Sequence, residues 1–305
     1  MTGTPRATPT APAAHPRPPR LLRGALLYAG ALALFACLDA TVKHLTQNYP
    51  VPAVASARYA SQFLLMSALL LPRHGAGLLR TRRPALVTLR SAALVVLTLM
   101  MNSALQRLPL AEATAISFAA PLLIVLLAGP ILGERLTAAR AAGVAAGFVG
   151  VLLIAQPGGH LDPLGVTFAL LAAAANAGYG LLSRALGSTE RPLNMLYSSA
   201  LVGTVAFSAL LPWFWHGPPV TAGQGALLFS LGLTGGAGHL LFTLAYREAP
   251  ASFLAPLTYL QLVWAALLGA GLFGHVPSPT ALGGMLLVSV AGVSVALHDA
   301  ARARR

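Results

Sequence analysis

Charged residues are scarce in this 305-residue chain: Asp, Glu, Lys and Arg together make up 9% of it, against about 25% in soluble domains. That leaves too little polar surface to cover a water-soluble globule of this length, which excludes a soluble enzyme or binding module. Acids are the scarcest of these, seven in all, and they are scattered. A polytopic membrane enzyme would need ionisable residues gathered at one interface. A membrane receptor is a further reading. The only cysteine, Cys37, allows no internal disulfide and no thiolate metal cluster. Also missing are a Gly-rich phosphate loop, an HExxH zinc pair and a nucleophile elbow. No catalytic residue, metal or cofactor is therefore expected, and nothing here would let the chain be driven directly by ATP.

What the sequence does hold is apolar. Hydrophobic residues make up 56% and mean hydropathy is +0.73. A bilayer core needs about 20 such residues per helix. Ten runs qualify, near 22–43, 52–71, 85–105, 110–132, 138–155, 163–184, 192–212, 224–245, 250–273 and 280–297. They are too long for the roughly 10-residue alternating strands of a membrane barrel, so an all-α integral membrane protein follows. Residues 1–20, rich in Pro, Ala, Thr and Arg, read as a disordered tail, and 299–305 as a basic one. The net charge of +13 suggests nucleic acid at first sight. Phosphate recognition wants a contiguous basic face, however, and here the arginines sit in short clusters between spans. Sixteen of the twenty basic residues fall on segments that share a side with the N-terminus. That asymmetry predicts a multi-pass protein of the bacterial inner membrane with both termini cytoplasmic. Trp213 and Trp215 suit an aromatic anchor at the outer interface.

Half of the chain is a drifted copy of the other half. Adding 141 carries Gly24 to Gly165, Lys43 to Arg184, Ala104 to Ala245, Pro109 to Pro250, Gly133 to Gly274 and Gly143 to Gly284. In the second span of each half the offset is 140, pairing Pro52 with Pro192 and Pro72 with Pro212. Five spans per copy reverse the direction of the second copy, so the halves 21–157 and 158–298 are inverted repeats. Such repeats are a signature of secondary transporters.

Several motifs point to one family. They are Pro121, the Gly133-Glu134-Arg135-Leu136-Thr137 turn, the Gly143/Gly147/Gly150 ladder, the Asp39-Ala-Thr-Val-Lys43 end of the first span, and Pro52 with Arg58-Tyr59 in the second. Together they resemble the EamA-type repeat of the drug/metabolite transporter superfamily. The second copy departs from the pattern, with Gly274-His275-Val276-Pro277 in place of the Gly-Glu-Arg-Leu turn. The resemblance implies ten helices in two inverted five-helix repeats around a cavity lined by spans 3, 4, 8 and 9, helped by 1 and 6. It further implies a small-molecule substrate such as an amino acid, nucleoside or vitamin.

Asp39 and Arg58 lie inside apolar spans, about 7–10 Å below the outer helix ends at about 1.5 Å per residue. A charge at mid-membrane costs about 2.5–3.5 kcal/mol. Asp39 is expected to bind a proton or a substrate cation, and Arg58 a substrate carboxylate. The alternative is a structural ion pair, with Lys43 at helical spacing from Asp39. Glu112 is a second coupling candidate, or else a solvated residue at a helix start. Asn102, Ser117, Asn176, Tyr179, His239, Tyr259 and Gln261 form an expected central polar set, each with interhelical bonding as its other reading. The run at 235–238 before His239 allows close approach or local unwinding. The glycine ladder is expected to join helices within one chain or across a homodimer. Thr137 is an expected cap for the fifth span.

Overall fold

A computed structural model describes residues 20–132, 138–156, 158–187, 189–215 and 217–302. The Glu134, Arg135 and Thr137 turn lies outside the described residues. The chain crosses back and forth as helices α1 (Leu21–Leu45), α2 (Val51–His74), α3 (Pro84–Arg107), α4 (Leu110–Ser117), α5 (Ala119–Leu132), α6 (Ala138–Ala155), α7 (Pro163–Leu186), α8 (Pro192–Phe214), α9 (Ala222–Glu248), α10 (Ala251–Leu254), α11 (Leu260–Phe273) and α12 (Pro279–Arg302). Eight segments are long and apolar enough to cross a bilayer, and shorter apolar helices at Arg140–Ala155 and Pro279–Val295 bring the crossings to ten. No strand occurs among the described residues. The outer surface is apolar, with Leu22, Leu69 and Leu286 among many exposed leucines. A face of that kind needs lipid as its solvent. Trp213 is 70% exposed at the end of α8, as an interfacial anchor should be.

Proline and polar caps mark where several helices start. Pro84, Pro163 and Pro192 each stand in the first turn, where the missing N–H is no loss. Thr221 and Gln224 form a reciprocal capping box at the start of α9.

The ten crossings are two inverted five-helix bundles, and the packing displays the inversion directly. The most extensive pairs come as twins under the 141-residue offset: α3 against α7 answers α1 against α9, while α6 with α12 and α2 with α8 pair like with like. Reciprocal contacts locate the pseudo-two-fold axis. Gly150 meets Gly284, and their repeat equivalents, Ala291 and Gly143, meet in turn. A Cβ on Gly284 would stand 2.6 Å from the Gly150 carbonyl oxygen, so only glycine permits this approach. Gly143 and Gly150 of the ladder thus seal α6 to α12 within one chain, while Gly147 packs on Leu122 of α5. The core packed between the repeats includes Leu38, Val42, Ile116, Phe118, Leu262 and Met285.

Two crossings are broken, and at equivalent places. The fourth breaks at Phe118 between α4 and α5. The ninth opens as α10 and a 3-10 turn, Ala255–Tyr259, before α11. Phe118 plus 141 is 259, and the Phe118 and Tyr259 rings touch at 5.1 Å between centroids. Residues related by a two-fold that also touch must flank its axis.

Candidate functional site

The two breaks meet at the centre of the bundle, and polar side chains from five crossings converge near them. Asp39 on α1 is half-buried and ion-pairs with nothing among the described residues. It feels the charge of Arg58 on α2 and has the Gln261 side chain of α11 within hydrogen-bonding reach. Arg58 lies over the Tyr59 ring, 5.4 Å from its centroid, and its Nε is buried without a hydrogen-bond partner. Tyr59 is itself fixed, its hydroxyl sharing a 2.8 Å hydrogen bond with Thr98 of α3 and its ring stacking on Phe207 at 5.5 Å. His239 stands on a continuous α9, so the preceding glycines do not unwind it. Its ring meets Phe35 edge-on at 5.1 Å, and it feels both Arg58 and Arg90. Where α1, α2 and α9 come together, a Cβ on Gly235 would be 3.9 Å from Arg58 Nε and 3.7 Å from Gln62 Oε1. The small residue leaves that corner open.

Arg90 is the residue that sequence reasoning passed over. It is buried on α3 and fully bonded: Nε donates to Ser183 Oγ at 2.7 Å, Nη2 to the Tyr179 hydroxyl at 2.6 Å, and Nη1 to Ser199 Oγ at 3.0 Å and the Met195 carbonyl at 3.3 Å. The Tyr179 ring also lies 4.4 Å from the guanidinium carbon. Tyr179, expected to line the cavity, accepts this arginine's hydrogen bond at its hydroxyl. The available signal was depth, since Arg90 sits six residues inside α3.

The remaining candidates divide. Asn102 is buried with its Nδ2 unpartnered, a costly state in an apolar interior. Asn176 is half-buried on α7. Ser117 donates at 2.6 Å to the Thr114 carbonyl beside the break, which spends its hydroxyl on the helix itself. Tyr259 presses against Gly292 of α12. Lys43 does not pair with Asp39. Its Nζ donates to the Leu105 carbonyl at 3.0 Å and the Leu108 carbonyl at 2.6 Å, at the end of α3, where helix carbonyls lack partners. Glu112 is buried rather than solvated. One oxygen meets His275 Nε2 at 3.0 Å across the repeat boundary, and the other is unpartnered. Glu112 with His275, and Lys43 over the Phe273 ring at 5.5 Å, therefore tie the two repeats on the face opposite the chain ends. On that same face Asp162 caps α7 through the Leu164 amide and pairs with Arg107 at 2.9 Å. The hydrogen bond from Arg107, then that from the amide, holds its exposed carboxyl below the usual carboxylate range. Among the described residues no cluster of His, Cys, Asp and Glu has the make-up to hold a metal.

This arrangement can bind a small polar solute between the repeats: an open guanidinium, an unpaired carboxylate and neutral amides lie beside two helix breaks. Comparisons with known proteins agree. The chain matches the EamA-like transporter family twice, over residues 22–156 and 163–297. It is 28% identical to an S-adenosylmethionine uptake transporter of Rickettsia felis over 74% of this chain and 78% of that one. It is 29% identical to a riboflavin transporter of Rhizobium johnstonii over 94% and 95%. One solved structure superimposes with a TM-score of 0.66 at 23% identity, covering 92% of this chain and 99% of the other.

Proposed function

The chain belongs to the EamA-like transporter family, and from that premise we infer that it carries a small organic metabolite across the bacterial inner membrane by alternating access. The observation that carries this reading is the meeting of the two broken crossings at Phe118 and Tyr259. Discontinuous helices at a repeat interface free backbone groups for a substrate. Inversion gives each half the conformation that the other leaves, so rocking about the axis exposes the centre to alternate sides. The site consists of Asp39, Arg58, Asn102, His239 and Gln261, with Asn176, Tyr179 and Tyr259 as its walls. Lys43, Glu112 and His275 close the outer face when the centre opens inward. Both termini lie in the cytoplasm, where the basic loops hold them. Proton coupling passes through Asp39 or Glu112. S-adenosylmethionine and riboflavin, carried by the two named relatives, mark the size range of cargo but do not identify it. No catalytic step is assigned. A homodimer would need a face other than the glycine ladder.

Solute flux into proteoliposomes of the purified full chain tests this. A broad metabolite panel should contain at least one compound that accumulates against a control without protein. No movement of any compound would overturn the transport reading.

A further inference from the structure

Asp39 and Arg58 are opposite charges that lie close enough to feel one another, yet they make no ion pair. The Arg58 Nε, a donor locked out of water, has no acceptor among the described residues. A guanidinium left this way in a low-dielectric interior calls for an anion. The neighbours add to the demand. Arg90 contributes a second positive charge from α3, and its own hydrogen bonds go only to hydroxyls and a carbonyl, none of which neutralises it. The groups facing this centre can be taken element by element. From α2 comes Arg58, from α9 His239, from α3 Arg90, and from α11 the uncharged Gln261. Lys43, on the same helix as Asp39, is committed to the carbonyls of Leu105 and Leu108, and Glu112 of α4 is committed to His275. That leaves Asp39 beside Arg58, while both guanidinium groups act on His239. At the corner of α1, α2 and α9, Gly235 leaves the space of about one methyl group beside Arg58 Nε, 3.9 Å from where its Cβ would stand.

Building on the transport reading, we propose that the substrate is an organic anion whose carboxylate or phosphate seats on Arg58 beside Gly235, and that it travels with a proton taken up by Asp39. The coupling is a competition. Ionised Asp39 and the incoming anion both lower their energy through Arg58, and each raises the energy of the other by like-charge repulsion. A proton on Asp39 removes the competitor. Linkage then makes the effect mutual: protonation favours anion binding, and a bound anion favours protonation. Proton and anion therefore bind as a pair, and a transmembrane proton gradient drives the anion without any further coupling device. Arg90 is a positioning residue here, holding α3, α7 and α8 while adding its field.

The test uses full-length protein in proteoliposomes and a panel of matched probes: lactate with lactamide, nicotinate with nicotinamide, succinate with succinamide, and phosphate monoesters with their parent alcohols. Uptake and thermal stabilisation of the protein are both read, at acid and neutral pH. At least one anion should bind and move while its uncharged partner does not, and it should bind more tightly at acid pH. Arg58→Gln should weaken that anion roughly tenfold or more, the scale of a lost charge-assisted hydrogen bond, and Arg58→Lys should recover part of the loss. Asp39→Asn, isosteric but without the charge, should bind the anion as tightly at neutral pH as the natural protein does at acid pH, with the pH dependence gone. Two results would overturn the proposal while leaving transport intact: uncharged partners moving as well as the anions, or Asp39→Asn weakening the anion. Movement of no probe in any pair would instead overturn the transport reading on which the proposal rests.

Discussion

The α3–α7 and α1–α9 interfaces are one interface built twice, and they carry opposite chemistry. At α3–α7 the deep contact is a cation: Arg90 held by Tyr179 and Ser183. At α1–α9 it is aromatic, with Phe35 on His239 at 5.1 Å and Tyr28 on Phe242 at 5.2 Å. The offset makes Leu231 the equivalent of Arg90, Leu38 that of Tyr179 and Phe35 that of Asn176. The same inequality runs through the whole molecule. In the first half Asp39, Arg58 and Arg90 lie six or seven residues inside their helices, while in the second half no charged residue lies more than three residues from a described helix end. Close backbone packing preserves the symmetry that rocking requires. The side chains, free of that demand, have divided the work: one half carries charge and the other supplies neutral and aromatic walls.

Four substitutions, one of them with a control, probe this division, from the largest effect to the smallest. Giving Arg90 the residue of its twin, Arg90→Leu, leaves the Tyr179 hydroxyl without its partner and cuts the links to Ser183 and Ser199, whose hydroxyls keep only the carbonyls of their own helices and Ser91. Stability should fall by about 3 kcal/mol, read as thermal unfolding in detergent. An unchanged unfolding temperature would mean that the cation does not hold the interface. Where the halves are alike, Gly284→Val forces a side chain into the Gly150 backbone and should cost about 2 kcal/mol. The same change at neighbouring Gly283, which has nothing within 4 Å, should be nearly silent. If both sites tolerate valine equally, the glycine seal is not a close contact. On the aromatic twin, His239→Phe keeps the packing on Phe35 and should shift stability by under about 1 kcal/mol while altering transport, which separates fold from function at one position. The smallest effect belongs to Asp162. Its folded carboxyl titrates below its unfolded value, because Arg107 and then the Leu164 amide favour the charged form. Its contribution is present above the unfolded carboxylate range and disappears as pH falls through the depressed value. Asp162→Asn should flatten only that acid limb of stability against pH; a loss of equal size at neutral and acid pH would rule out the ionic account.

The helices were legible because an apolar run of bilayer length has few other uses, and the inversion was legible because small residues and prolines kept their spacing. Much of the site was not. Lys43 stands four residues from Asp39, which suggested a local pair, but the open carbonyls at the end of α3 outcompete it. Glu112 and His275 are 163 residues apart, so no local pattern could join them. Arg90 could not be matched to its four partners, because they lie on α7 and α8, 89 or more residues away. The break at Phe118 does have a local signal in Pro121, which has no N–H for the Ser117 carbonyl four residues back. Its meaning shows only beside Tyr259, once the repeat brings the two together.

The central claim is that the seam between the halves opens to both sides of the membrane. Placing a single cysteine at Gln261, in a chain whose Cys37 has been changed to Ala, and labelling sealed vesicles with a membrane-impermeant maleimide tests it directly. The account predicts modification from the outside and, in inverted vesicles, from the inside, with bound solute protecting in both. Labelling from one side alone, or from neither, would contradict it.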